Sequence, residues 1–437
     1  MPSITLPPEI LEEIFLHVVS GHQRSTFIPS LLDISKGYST YNYLSRSSPY
    51  SISHVSRQWR NIVLRLPHLW THIGVVNANT NDIIKLLEEW LHRAKSLPLS
   101  FSFYEDNPHC HPAAKIVLAF FFNHIHQCVS FELLSKIPLR KVLIDFRVPQ
   151  TQAPVLLQSV FVWLDNPDAS SEPSVLSSLL LGSRTLRSAL WRDQDPRPWS
   201  IPLQKISQSW GGLQELTLHI LLPLHSLIGA LSFCRHLERL AICQRILPSA
   251  FTPQNVTLPR LTHLSASLQA MQQTLFSCIT VPSLTDLKIL GVEGRAWDHI
   301  TGMLQRSTPT LRALQVRRVQ HIPEPWDFDE CEFVQSLITP PFQELRVLEV
   351  ENEMWLDAMK FLMHNNDSKP RLNRRRERVF HTGLEKCYLP RLEKLALLIT
   401  NTRIIEERSP FFGDFRRLEL SPRTIQRLRS LLGEVSR

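Results

Sequence analysis

The hexamers LQELTL (213–218), LERLAI (237–242), LTDLKI (284–289), LRALQV (311–316), LRVLEV (345–350) and LEKLAL (392–397) share one template. An aliphatic residue is followed by two variable ones, a second aliphatic, one variable and a third aliphatic. Side chains of an extended chain alternate between faces, so the second and third aliphatics fall on one face and the residues interleaved with them on the other. LTHLSA (261–266) and FRRLEL (415–420) fit more loosely, and LRKVLI (139–144) and LRSALW (186–191) fit most weakly. From Leu213 the first positions advance by 24, 24, 23, 27, 34, 47 and 23 residues.

A unit of about 20–29 residues with this pattern is that of leucine-rich repeats, which stack into a solenoid. The step of 47 leaves room for a further unit around Trp355–Leu362, and the step of 34 for an insertion near Pro323–Asp329. Pro259, Pro282, Pro309, Pro341 and Pro390 mark where connecting segments end. Regular repeats place Asn or Cys three residues after the third aliphatic; here Leu221, Arg245, Gln269, Val292 and Val319 stand there. Without that side-chain ladder to satisfy backbone groups, the expected solenoid is irregular. Ser421-Pro422 then opens an expected helix over 422–433, with Ile425, Leu428 and Leu432 covering the last repeat.

The N-terminal part reads differently. Leu6-Pro7-Pro8-Glu9 suits a helix start, and Ile10, Leu11, Ile14, Phe15 and Val18 form an apolar stripe behind it. Residues 20–49 contain eight Ser and hold no period, so they read as an insertion. Ile52, Val55, Trp59, Ile62 and Leu66 predict a second helix, stopped by Pro67. A third follows over Ile83–Ala94 with Asn81 and Asp82 as caps, and Leu99–Phe103 alternates like a strand with one buried side.

Taken together, LPPEILEEIF (6–15), VSRQWR (55–60) and PHLW (67–70) resemble an F-box, in the form common in mushroom-forming (basidiomycete) fungi. The Ser-rich segment makes this one longer than usual. The expected architecture is therefore α/β, an irregular leucine-rich-repeat solenoid of parallel sheet plus helices, preceded by a small all-α F-box-like region. Its parts are 1–75 (F-box-like, inserted at 20–49), 76–135 (a linker helix and the first strand and helix of the solenoid) and 136–437 (degenerate repeats with a basic loop at 366–380). The resemblance implies a substrate-recognition subunit of an SCF-type cullin–RING ubiquitin ligase. The F-box would bind a Skp-type adaptor, and through it cullin and RING subunits, while the repeats hold an unidentified target protein. The alternative is a repeat-based interaction scaffold unconnected to ubiquitination.

Two short helices with wide apolar stripes cannot bury all of that surface against each other, and a partner helix would complete the core. The candidate adaptor-binding residues are Leu6, Pro7, Ile10, Leu11, Ile14, Phe15, Val55, Trp59 and Ile62, with Trp70 assigned to internal packing. On the repeats, the interleaved residues line a concave face, on which Glu215, His219, Arg239, His263, Asp286, Lys288, Gln315, Arg317, Glu349 and Glu351 are the candidates for target binding. Thr217, Cys243 and Ser265 share that face. Its mixed charge suits a protein ligand better than a polyanion.

The formal charge of +8 is mostly local: residues 369–378 (KPRLNRRRER) carry a net +5 and leave +3 elsewhere, so no nucleic acid is expected. That run reads as a solvated loop, or as a nuclear-import signal. Seven cysteines without a CxxC pair, no secretory leader and no apolar stretch approaching ~20 residues point to a cytoplasmic or nuclear protein that does not enter membranes. No phosphate-binding Gly loop, GxSxG or HExxH is present, so neither a cofactor nor catalysis is expected. His109-Cys110-His111 and Asp327–Glu332 read as plain loops.

Overall fold

The computed structural model describes residues 6–25, 49–76, 83–105, 111–135, 154–164, 174–193, 203, 207–243, 246–247, 255–267, 273–290, 296–317, 337, 339–351, 394–400 and 415–419. Outside them lie 26–48, the Asn81–Asp82 caps, LRKVLI, His109-Cys110, Pro323–Asp329, Trp355–Leu362, the basic loop 366–380 and the helix expected at 422–433. The chain divides into two compact units, Met1–Cys234 and Arg235–Arg437. No helix among the described residues is long and apolar enough to cross a membrane.

Among the described residues, the first unit opens with three helices. Helix α1 spans Pro8–Ser25, running past the apolar stripe into the stretch expected as insertion. The single helix expected from Ile52 to Leu66 is two, α2 (Pro49–Ser53) and α3 (Arg57–Arg65). The break has a local cause. Ser56 is extended (φ −156°, ψ 167°), and its hydroxyl accepts the Trp59 N–H at 3.1 Å, which caps α3 and ends the periodicity's claim to continuity. After Leu66 a 3-10 turn over Pro67–Trp70 leads into the sheet.

Strands β1 (His72–Val76), β2 (Leu99–Glu105), β3 (Cys128–Ser135), β4 (Ser159–Leu164), β5 (Ser188–Asp193) and β6 (Glu215–His219) then pair in parallel, in chain order. Between or after them lie α4 (Ile83–Ala94), α5 (His111–Asn123), α6 (Ser174–Leu181) and α7 (Leu224–Leu231). The ladder thus begins well before the point at which the repeat becomes legible. Ile73, Phe101, Phe131, Val160, Ala189 and Leu216 form one buried row, with neighbours 27–30 residues apart in sequence. Val75, Phe103, Leu133, Val162, Trp191 and Leu218 form the next. LQSVFV (157–162) fits the template outright, whereas Trp, Cys and Phe at template positions disguise β1 to β3. Phe101 stacks on Phe121 of α5 at 4.5 Å between ring centroids, so the helix covers this face.

In the second unit, strands β7 (Arg239–Ile242), β8 (His263–Ser267), β9 (Asp286–Leu290), β10 (Ala313–Arg317), β11 (Val347–Glu351) and β12 (Lys394–Thr400) also pair in parallel order. Helices α8 (Gln273–Cys278) and α9 (Ala296–Ser307) connect some of them. Leu240, Leu264, Leu287, Leu314 and Leu348 make one buried row; Ile242, Ala266, Ile289, Val316 and Val350 make the other. The last strand, β13 (Phe415–Glu419), pairs antiparallel with β12, so FRRLEL is not another parallel repeat.

The missing Asn ladder is answered at the other end of the strands. The Glu238 carbonyl accepts both Thr262 N–H (2.9 Å) and His263 N–H (3.0 Å), and the Thr262 carbonyl accepts Thr285 and Asp286 N–H at 2.9 Å each. Thr285 and Arg312 carbonyls continue the series, and Gln158 and Arg187 do the same in the first unit. One carbonyl per repeat, with its two lone pairs, thereby satisfies two donors of the next.

Candidate functional site

Helix α1 carries two apolar faces. Leu11, Phe15 and Val19, four residues apart, turn inward at 3%, 1% and 8% exposure. Ile10, Ile14 and Val18, also four apart, turn outward at 48%, 40% and 38%, and Leu6, two residues before the helix starts, is 42% exposed. The sequence stripe had merged the two. Inside, the Phe15 ring meets Trp59 at 4.8 Å, and Ile52, Ile62, Val63 and Leu69 complete the small core. Of the nine candidate adaptor-binding residues, Leu11, Phe15 and Ile62 therefore belong to the hook's own core, because a three-helix hook must bury one stripe of each helix to fold. Trp59 is half-buried beside Phe15, and Leu6, Pro7, Ile10, Ile14 and Val55 (60%) are exposed. Trp70 is fully buried, donating its indole N–H to the Val63 carbonyl at 3.0 Å.

The face of β1–β6 opposite the buried rows holds Ser100, Ser130, Ser159, Ser188 and Glu215 at one register position. One step along, Ser102 donates to Glu132 Oε2 at 2.9 Å, and its hydroxyl lies 3.4 Å from His72 Nε2. Burial pushes the Glu132 carboxyl up to about 7, against the lowering effect of the Ser102 hydroxyl, and lowers His72 to about 4. Further along, the Arg192 guanidinium covers the Trp163 ring at 3.8 Å. Burial, and then the Arg192 charge, holds His219 down at about 3, so this imidazole is neutral. None of His72, Ser102, Glu132, Trp163 or Arg192 was legible as a site residue. The signal for them was the alternation of β2 and β3, read one repeat earlier.

In the second unit, Arg239, His263 and Asp286 occupy one register position on three adjacent strands. His263 Nε2 lies 3.5 Å from Asp286 Oδ2, with both side chains about half exposed, and Thr262 Oγ1 meets its Nδ1 at 2.8 Å. Ser265, Lys288, Gln315 and Glu349 occupy the next position, with Gln315 donating to Glu349, which is 9% exposed. Arg317 and Glu351 pair with Leu290 and Leu398 in register. Cys243 is buried rather than displayed. Of the residues expected on one face, Arg239, His263 and Asp286 share one register position and Lys288, Gln315 and Glu349 the next, Arg317 and Glu351 lie outside these two rows, and Glu215 and His219 belong to β6 of the first unit.

A groove of about 830 Å³ between α4 and α5 is lined by Ile84, Glu88, Leu91, Lys95, Ile116 and Phe120, among others. Among the described residues no group of three His, Cys, Asp or Glu is placed to hold a metal ion.

A helical hook whose first helix displays an outward apolar stripe precedes the parallel βα array. Residues 4–75 match the F-box-like family, so the chain carries an F-box-like domain at its N-terminal end. Comparison with curated proteins finds no match.

Proposed function

We propose that this protein is the non-catalytic substrate-recognition subunit of an SCF-type cullin–RING ubiquitin ligase, of the leucine-rich-repeat kind, acting in the cytoplasm or nucleus. Leu6, Pro7, Ile10, Ile14, Val18 and Val55 form the surface for the Skp-type adaptor, which brings cullin and RING subunits. The open face of the repeats, around Arg239, His263, Asp286 and Lys288, holds the target protein. The observation that carries this reading is the outward stripe of α1. Leu6 ahead of α1 and Ile10, Ile14 and Val18 on it stand 38–48% exposed and so forgo part of the about 1.5–3 kcal/mol that full burial of each would bring, a gain that docking on a partner recovers. The stripe lies within the segment that matches the F-box-like family.

The test is capture of a purified Skp-type adaptor by the full chain and by an Ile10→Asp/Ile14→Asp variant. Because both residues face solvent, the variant is expected to unfold at the parent's denaturant midpoint while capture drops at least tenfold. Leu11→Ala is the counterpart. It is expected to lower stability by roughly 2–4 kcal/mol without altering the exposed stripe. A parent chain that captures no adaptor would sink the ligase reading and favour a repeat scaffold.

A further inference from the structure

The hook is not closed by its own residues. Tyr50 of α2 and Trp70 of the 3-10 turn meet edge to face at 5.1 Å between centroids, with an interplanar angle of 84°. Trp90, on α4, meets both: Tyr50 at 5.4 Å and 75°, Trp70 at 5.4 Å and 76°. Arg93, one turn further along α4, lays its guanidinium 4.5 Å from the Trp70 centroid and 5.6 Å from that of Tyr50. Glu89 on the same helix pairs with that guanidinium at 2.7 Å. Three mutually tilted rings, two of them facing a planar cation, are a favourable arrangement for aromatic edges and for charge alike. Trp70 passes the constraint on to α3 through its hydrogen bond to the Val63 carbonyl.

Tyr50 and Trp70 lie within the segment that matches the F-box-like family, whereas Glu89, Trp90 and Arg93 lie beyond it. We propose that α1–α3 and α4 are one folding unit, and that Trp90 and Arg93 are positioning residues for the adaptor surface although they contribute nothing to the exposed stripe. Without them Tyr50 and Trp70 face water and the support beneath α2 and α3 is lost. The folding statement stands on geometry alone; the statement about the adaptor rests on the function proposed above.

The experiment is native-state hydrogen exchange on the full chain, combined with adaptor capture, for Trp90→Ala, Trp90→Phe, Arg93→Ala and Arg93→Lys. Amides of α1–α3 are expected to exchange at least tenfold faster in Trp90→Ala, with those of β3–β6 within twofold of the parent. Trp90→Phe, which keeps a ring, recovers most of the protection. Arg93→Ala gives a smaller loss that Arg93→Lys does not repair, since only a planar guanidinium can stack and pair at once. Adaptor capture should fall and recover in the same order. Unchanged exchange of α1–α3 in both Trp90→Ala and Arg93→Ala would overturn the proposal. Should Trp90→Ala loosen β3–β6 as well, Arg93→Ala decides: loss confined to α1–α3 upholds the joint, and loss everywhere rejects it. A parent chain that captures no adaptor defeats the adaptor reading and leaves the exchange result to judge the folding unit.

Discussion

Ile10 and Leu11 are neighbours of nearly equal apolarity, yet one is 48% exposed and the other 3%. A helix turns 100° per residue, so adjacent positions face different surroundings: the hook's own core, and solvent. Glu132 shows a second kind of residue-level decision. Its carboxyl is raised from 4.5 to about 7 by burial, so the folded chain keeps a proton that the unfolded chain releases. The stabilisation from that proton is complete below the unfolded value and is lost as pH rises through about 7. His72, lowered from 6.5 to about 4, works in the opposite sense, contributing above 6.5 and losing that contribution as pH falls through about 4. Glu132→Gln keeps a neutral partner for Ser102 and leaves His72 untouched. Denaturant titrations at several pH values should therefore show the variant gaining on the parent by about 1–3 kcal/mol between about pH 5 and about pH 8. A difference that stays flat across that range would mean that Glu132 is solvated.

At the scale of elements, the decisive features are ends rather than middles. Ser56 splits what the apolar spacing offers as a single helix, because a hydroxyl that caps Trp59 N–H outcompetes continuation of the helix through Val55. Ser307, in the last turn of α9, accepts the buried Val281 N–H at 2.9 Å from the segment that leads towards β9. Ser307→Ala removes that acceptor from a site 3% exposed and strands a backbone donor. The expected cost is roughly 1–3 kcal/mol, read as a shift in the urea midpoint. Ser307→Thr, which keeps the hydroxyl, should lose less, and equal losses for the two would assign the effect to packing. The stair of carbonyls, each holding two N–H groups of the next repeat, explains how the array dispenses with an Asn ladder.

For the whole molecule, charge and recognition separate. Five of the eight net positive charges sit in residues 369–378, far in sequence from the hook, and the surface proposed for the adaptor is the apolar stripe of α1. Capture of the adaptor is therefore expected to survive a rise in salt from about 0.15 M to about 1 M, conditions that reduce the screening length to about 3 Å. Loss of capture at high salt would assign recognition to the basic run instead.

The sequence by itself determined the class of structure: hexamers with a period of two and a recurrence of 23 to 27 residues specify parallel strands with one buried face, and the N-terminal motifs specify a helical hook. Local chemistry sufficed because each strand repeats the same alternation. It reached β2, whose alternation at Leu99–Phe103 is legible, but was not enough for β1 and β3, where Trp70, Cys128 and Phe131 take template positions, nor for the antiparallel end, which depends on strand direction rather than side-chain pattern. Only the tertiary structure decided which apolar residues of α1 stay outside, that Trp90 and Arg93 pack against Tyr50 and Trp70, and that Ser102 links Glu132 and His72 from the strand between them. Those outcomes depend on contacts between residues far apart in the chain, and periodicity along one segment carries no information about them.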